Sequence, residues 1–245
     1  MPPFTSKDNR LSLQPQHILQ TIQTLEKRID DRFPDSKLKI TCQGFLKMAE
    51  QSQKNIIFIA KANIPIRLFT ILVISMAVIG ILYSFSLLDL GVGQLTFIDL
   101  VTLAEATIND LVLLGAAIFF LVSLELRLKR SKAMQFLDQL RGLAHVIDMH
   151  QLTKDPIMIG VIKHQTTHSP IRTFSKFELQ RYLDYCSEML SLIGKVAALY
   201  AQSLPDDVIV SSVNDIESLT DGLSRKIWQK IMILAEVDEN DSPKT

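Results

Sequence analysis

Four of the five histidines in this 245-residue chain, His145, His150, His164 and His168, fall in one short stretch together with Asp148 and Asp155. Imidazole nitrogens and carboxylate oxygens are the ligands a zinc or iron ion takes. On a helix, His164 and His168 at a spacing of four would share a face, and so would His145 and Asp148 at a spacing of three. Against a metal centre, no HExxH is present and no cysteine lies nearby, while His145 and His150 are five apart and point to different faces. His145, Asp148, His164 and His168 are thus the candidate metal ligands. The competing expectation, and the one adopted, is a polar connection with solvated or capping imidazoles, without a resident metal or cofactor.

Other chemistry is harder to place. The chain contains no Gly-x-Ser-x-Gly nucleophile turn and no Gly-rich phosphate loop, and GVG at 91–93 leads into no βαβ unit. With only 9 glycines, little of the chain is suited to cradling a cofactor. Arg225, Lys226 and Lys230 beside Trp228 resemble a basic-aromatic patch, but on an amphipathic helix the same residues make a solvated face next to a core. No residue is assigned a catalytic role, and no enzyme activity is expected. A formal net charge of +0 gives no reason to expect nucleic acid as a partner.

The elements that would position these residues are organised around Leu68 to Leu88, a run without a charged side chain between Arg67 and Asp89. About 21 residues at the helical rise span roughly 30 Å, the hydrocarbon thickness of a bilayer. A second apolar run, Leu111 to Leu124, extends backwards at helical spacing through Ile108, Ala104, Val101 and Phe97. The two make a transmembrane hairpin, with spans at about 67–88 and 104–126 and an outside loop at 89–103. The 47% hydrophobic content and the mean hydropathy of +0.21 agree with that reading. Gly80 and Ser84, with Ala77 nearby, are small residues through which another helix could approach the first span.

Charge orients the hairpin. Lys54, Lys61 and Arg67 precede the first span and Arg127, Lys129, Arg130 and Lys132 follow the second, whereas residues 89–110 carry Asp89, Asp99, Glu105 and Asp110 and no Lys or Arg. Positive flanks stay inside, so both termini are expected in the cytoplasm. No acid lies at the centre of a span, so these acids read as residues of the aqueous interface rather than of an ion pathway. Residues 1–67 hold 11 Lys and Arg against 6 Asp and Glu, a surplus suited to anionic lipid or to a solvated basic face.

Outside the membrane every strong pattern is helical. Residues 1–14 read as a flexible tail, and 15–64 as a helical hairpin that begins at Pro15 with Ile18, Ile22, Leu25 and Ile29 on one stripe. Asp35 is the expected cap of the second helix, whose face carries Leu38, Cys42, Phe45, Leu46 and Ala49 and which continues to Asn63 before Pro65 opens the first span. With Thr96 as a candidate cap, and without Pro or paired Gly from Gln94 to Gln151, the second span should continue as one helix, about 80 Å long at 1.5 Å per residue. Pro156 should restart a short helix through Ile162, followed by a loop at HQTTHSP.

Ser175 and Glu178 form a capping-box pattern. From there Leu179, Leu183, Cys186, Leu190, Ile193, Ala197 and Tyr200 follow four-three alternation until Pro205. After the short run Val208-Ile209-Val210, a last helix presents Val213, Ile216, Leu223, Ile227, Ile231 and Leu234. Such seams need covering, so 127–236 and the N-terminal hairpin are expected to form one cytosolic helical bundle, with 237–245 as an acidic tail. Cys42 and Cys186 sit on the apolar stripes as core thiols of a reducing compartment. The N-terminus lacks the basic-then-apolar pattern of a cleaved leader, so the first span itself should act as the insertion signal.

RFPDSKL at 32–38, ANIPIRL at 62–68, LAHVIDMHQLTKDP at 143–156 and LTDGLSRKIWQKI at 219–231 resemble landmarks of a family of uncharacterised bacterial two-transmembrane-helix proteins. The resemblance implies topology and a multi-pass place in the bacterial inner membrane, and attaches no activity. The expected fold is therefore all-α, a two-span transmembrane helical hairpin with a cytosolic helical bundle formed by the N- and C-terminal regions. The expected function is a membrane-anchored interaction or scaffold module, its partners being the lipid bilayer and either further copies of itself or a partner protein on the bundle. Alternatives are an oligomeric two-span effector or channel, and a metal-dependent enzyme built on the 145–168 histidine cluster.

Overall fold

A computed structural model describes residues 12–87, 97–156, 167–168 and 174–241, and among them all regular structure is helical. In chain order the helices are α1 (Pro15–Arg32), α2 (Lys37–Ala60), α3 (Ile64–Leu87), α4 (Phe97–Leu152), α5 (Lys176–Ser203) and α6 (Asp207–Asp241). The chain divides into two units, Met1–Ile57 with Ala133–Thr245, and Phe58–Lys132.

The first unit is a helical bundle built from the stripes the sequence carries. Ile18, Ile22, Leu25 and Ile29 of α1 are buried, as are Leu38, Cys42, Phe45 and Ala49 of α2, while Leu46 is half-buried at the margin. All seven positions of the α5 seam from Leu179 to Tyr200 are buried, and so are Val213, Ile216, Leu223, Ile227, Ile231 and Leu234 of α6. The last part of α4 contributes Ala133, Phe136, Leu140, Ala144 and Ile147 to the same core, with Phe136 stacked on Tyr200 at 5.0 Å between ring centroids. Trp228 is exposed on α6, beside the buried stripe rather than within it.

Helix ends follow local chemistry. Pro15 opens α1, where its missing N–H is no loss. The α1–α2 turn corrects an expectation: the cap of α2 is Ser36, not Asp35. The Ser36 hydroxyl accepts from the Lys39 N–H at 3.1 Å and donates to the Phe33 carbonyl at 2.8 Å, so one side chain ties both helix ends. The capping box of α5 is present, with the Glu178 N–H donating to Ser175 Oγ at 3.3 Å and the Ser175 N–H to Glu178 Oε2 at 2.8 Å. Val208-Ile209-Val210 is no separate run. Asp206 accepts from the Val208 N–H at 3.2 Å, and α6 starts at Asp207 with Ile209 already in the core. Its helix also continues to Asp241, into the acidic segment.

Helices α5 and α6 pack along each other, and α1 packs against α5. A methyl group at Gly194 would sit 3.4 Å from Thr220 Oγ1 and 3.8 Å from Glu217 Cγ, in ordinary contact. Gly194→Ala should therefore be neutral or stabilise by up to about 1 kcal/mol through helix propensity. Gly194→Leu should cost about 1–3 kcal/mol by overpacking. The midpoints of chemical denaturation check both, and equal midpoints would show that α5 and α6 do not approach closely here.

In the second unit α2 ends at Ala60 rather than continuing to Asn63, and α3 starts at Ile64 with Pro65 in its first turn. Glu125 of α4 holds that junction: it accepts from the Asn63 N–H at 3.0 Å, from Arg67 Nε at 2.9 Å and from Lys129 Nζ at 2.9 Å. The continuous helix expected after the second apolar run is present, since α4 is unbroken over 56 residues. Its first described residue is Phe97, ahead of the expected span start at 104.

Two helical segments are long and apolar enough to cross a membrane, within Lys37–Gly80 and Thr107–Leu152. Their large apolar side chains are not a core: Met76 is 72% exposed and Phe119 73% exposed. Gly91, Gly93 and Thr96, and the short helix expected from Pro156 to Ile162, fall wholly or mostly outside the described residues.

Candidate functional site

The histidine stretch divides. His145 is exposed near the end of α4, His168 is exposed, and His164 lies outside the described residues. Asp148 is engaged elsewhere, because Gln151 Nε2 donates to its Oδ1 at 2.6 Å. Gln151, 2% exposed, in turn accepts from Lys230 Nζ through its carbonyl at 2.7 Å and its side-chain oxygen at 2.6 Å. Asp148 thereby belongs to a hydrogen-bond chain from α4 to α6, and Lys230 is half-buried in that chain rather than part of an exposed basic patch with Arg225 and Lys226. Among the described residues no three His, Cys, Asp or Glu side chains converge as a metal site. Of the small residues on α3, Gly80 has open space around it, Ala77 is half-buried, and the Ser84 side chain is outside the described set.

The remaining histidine leads to a more organised place. His150 Nε2 and Thr41 Oγ1 are hydrogen-bonded at 2.8 Å, while the Thr41 hydroxyl donates to the Lys37 carbonyl at 2.9 Å. A hydroxyl has one proton to give, so Thr41 accepts from His150 and the ring proton is assigned to Nε2. Burial, with Lys37 and Lys154 nearby, pushes the imidazole pKa below its ordinary value. The ring is neutral at pH 7.

Next to it opens a cleft of about 750 Å³, formed where the α1–α2 turn, the end of α4 and the start of α5 meet. Phe33, Phe174 and Tyr182 supply an aromatic floor, with Phe33 at 5.4 Å from Phe174 and 5.6 Å from Tyr182 between centroids. Lys154 Nζ lies over two of these rings, at 4.2 Å from the Phe174 centroid and 5.3 Å from that of Tyr182. Burial lowers the pKa of this ammonium. Behind it, burial pushes the Cys186 thiol up to about 12 and raises the Tyr182 phenol as well, so neither supplies a negative charge at pH 7.

A contrast is provided at the α1–α5 contact, where Arg28 and Arg181 lie over the Tyr185 ring at 5.1 Å and 5.4 Å. Both have a carboxylate. Arg28 donates to Glu188 through two nitrogens at 2.7 Å and 3.1 Å, and Arg181 donates to Asp184 at 2.9 Å. The arginine charges are balanced within the bundle.

Sequence reasoning missed the Lys154 cleft, because its residues come from three separate stretches that show no shared spacing. One signal was readable: between Asp155 and Glu178 the chain contains no Asp or Glu, but has Lys163, Arg172 and Lys176. No family model, curated protein or solved structure matches the chain.

Proposed function

We propose that the protein is a membrane-anchored helical module of the bacterial inner membrane, which acts by binding a partner protein or further copies of itself and not by catalysis. The observation that carries this reading is the exposure of α3 and of the first half of α4. Side chains such as Met76 and Phe119 would be costly to leave in water and are at home in hydrocarbon. The lysines and arginines on either side of these segments, with acids alone between them, support an orientation with both termini and the bundle on the cytoplasmic side. The Glu125 junction suits the foot of such a hairpin, since it fixes the first turn of α3 to α4. On the bundle, Trp228 and Met232 are both more than half exposed and lie four apart on α6, an apolar face available to a partner helix.

Topology is the direct test. A cysteine introduced at Gln94 should react with a membrane-impermeant thiol reagent in intact cells, and one introduced at Ser242 should not. Cys42 and Cys186 are buried and leave a quiet background. Reaction at Ser242 alone overturns the orientation. Oligomeric mass in detergent separates self-association from a foreign partner, and ion conductance in liposomes would favour an oligomeric channel instead.

A further inference from the structure

Buried or half-buried charges in folded proteins are paired, because desolvation costs more than a lone charge recovers. Lys154 departs from that rule. It is half-buried and lies over two aromatic rings, and no ion pair to a carboxylate is present among the described residues. Asp155, next in the chain, bears on Lys230 instead, and residues 156–177 contain no Asp or Glu. Lys37 lines the same cleft, and among the described residues that line it Asp35 is the only acid. Lys154 thus faces an open cleft with surplus positive charge, aromatic walls and a volume inside the range of small-molecule sites.

We propose that this cleft binds a small organic anion, whose carboxylate or phosphate meets Lys154 and Lys37 and whose apolar body lies against Phe33, Phe174 and Tyr182. Such a ligand supplies the counter-charge that the chain withholds, and it exchanges apolar surface in water for the aromatic floor. Phosphate alone would satisfy the lysines and leave the floor bare. An uncharged aromatic would do the reverse.

The test uses the full-length protein in a neutral detergent, titrated with phenyl phosphate, inorganic phosphate and benzyl alcohol. Phenyl phosphate should bind saturably, and more tightly than either of the others. Lys154→Gln, which removes the charge and keeps a polar side chain, should weaken it by at least about tenfold. Lys195→Gln, at a lysine bonded to Ser191 away from the cleft, should leave it unchanged. A second readout needs no variant. Lys37 and Lys154 help hold the His150 pKa down, so phenyl phosphate should move that pKa upward in an NMR titration and benzyl alcohol should not. The proposal is overturned by absent saturable binding up to about 10 mM, by an unmoved His150, or by equal affinity in a folded Lys154→Gln variant. Equal affinity for inorganic phosphate or for benzyl alcohol overturns it too.

Discussion

Leu190→Asp should unfold the helical bundle or leave it marginal. Leu190 is fully buried in the middle of the α5 seam, between Cys186 and Ile193, which are equally inaccessible. An aspartate there must either stay charged without a partner or take up a proton at a cost, and it also gives up the apolar burial of the leucine. The loss should be roughly 3–5 kcal/mol, a large fraction of the stability of an ordinary domain. Thermal unfolding followed by circular dichroism in detergent is the measurement. Leu190→Ala should cost less, about 2–4 kcal/mol, since it leaves a cavity without a charge. A Leu190→Asp protein that melts with the wild type would mean that the seam faces solvent.

Phe33→Ala is the second large effect. The ring is 7% exposed and lies within 5.4–6.2 Å of Phe174, Tyr182 and Tyr185, so its loss removes one body from three aromatic pairs at once. Truncation of a buried Phe costs about 3–5 kcal/mol, part of it from edge-to-face geometry that an aliphatic group cannot replace. Phe33→Leu should therefore recover only part of the stability. The position has a further demand on it, because the Phe33 carbonyl accepts from Ser36, and the turn between α1 and α2 closes on that residue. Chemical denaturation of the two variants decides the matter. A loss below about 1 kcal/mol for the alanine variant would show that the cluster contributes little beyond surface contact.

Which parts of this architecture could be read from the chain depends on distance along it. A helical stripe is a local pattern, so Ile18 to Ile29 on α1, Leu179 to Tyr200 on α5 and Val213 to Leu234 on α6 were legible as core faces before any packing was known. The capping box at Ser175 was legible for the same reason, its two members being three residues apart. Ser36 and Asp35 are both good caps, and the choice between them rests on where the chain turns at Pro34, which spacing does not encode. Lys230 looked like a surface cation on its own helix. Its inward turn depends on Gln151, 79 positions away. The cleft lies further still from any local rule, since Phe33, Lys154 and Tyr182 meet only after α1, α4 and α5 have packed.

The sulfur atoms of the bundle carry a consequence of their own. Cys42 sits on α2 and Cys186 on α5, both inaccessible, and burial lifts each thiol to about 12. Alkylating agents and peroxides react with cysteine through the thiolate, so at neutral pH the native fold withholds both cysteines from them. Opening the bundle releases both thiols to ordinary acidity, one from α2 and one from α5. Chemical modification of either cysteine is therefore a record that the molecule has at some time been open, and a chain so marked carries a bulky or polar group that its own core has no room to take back.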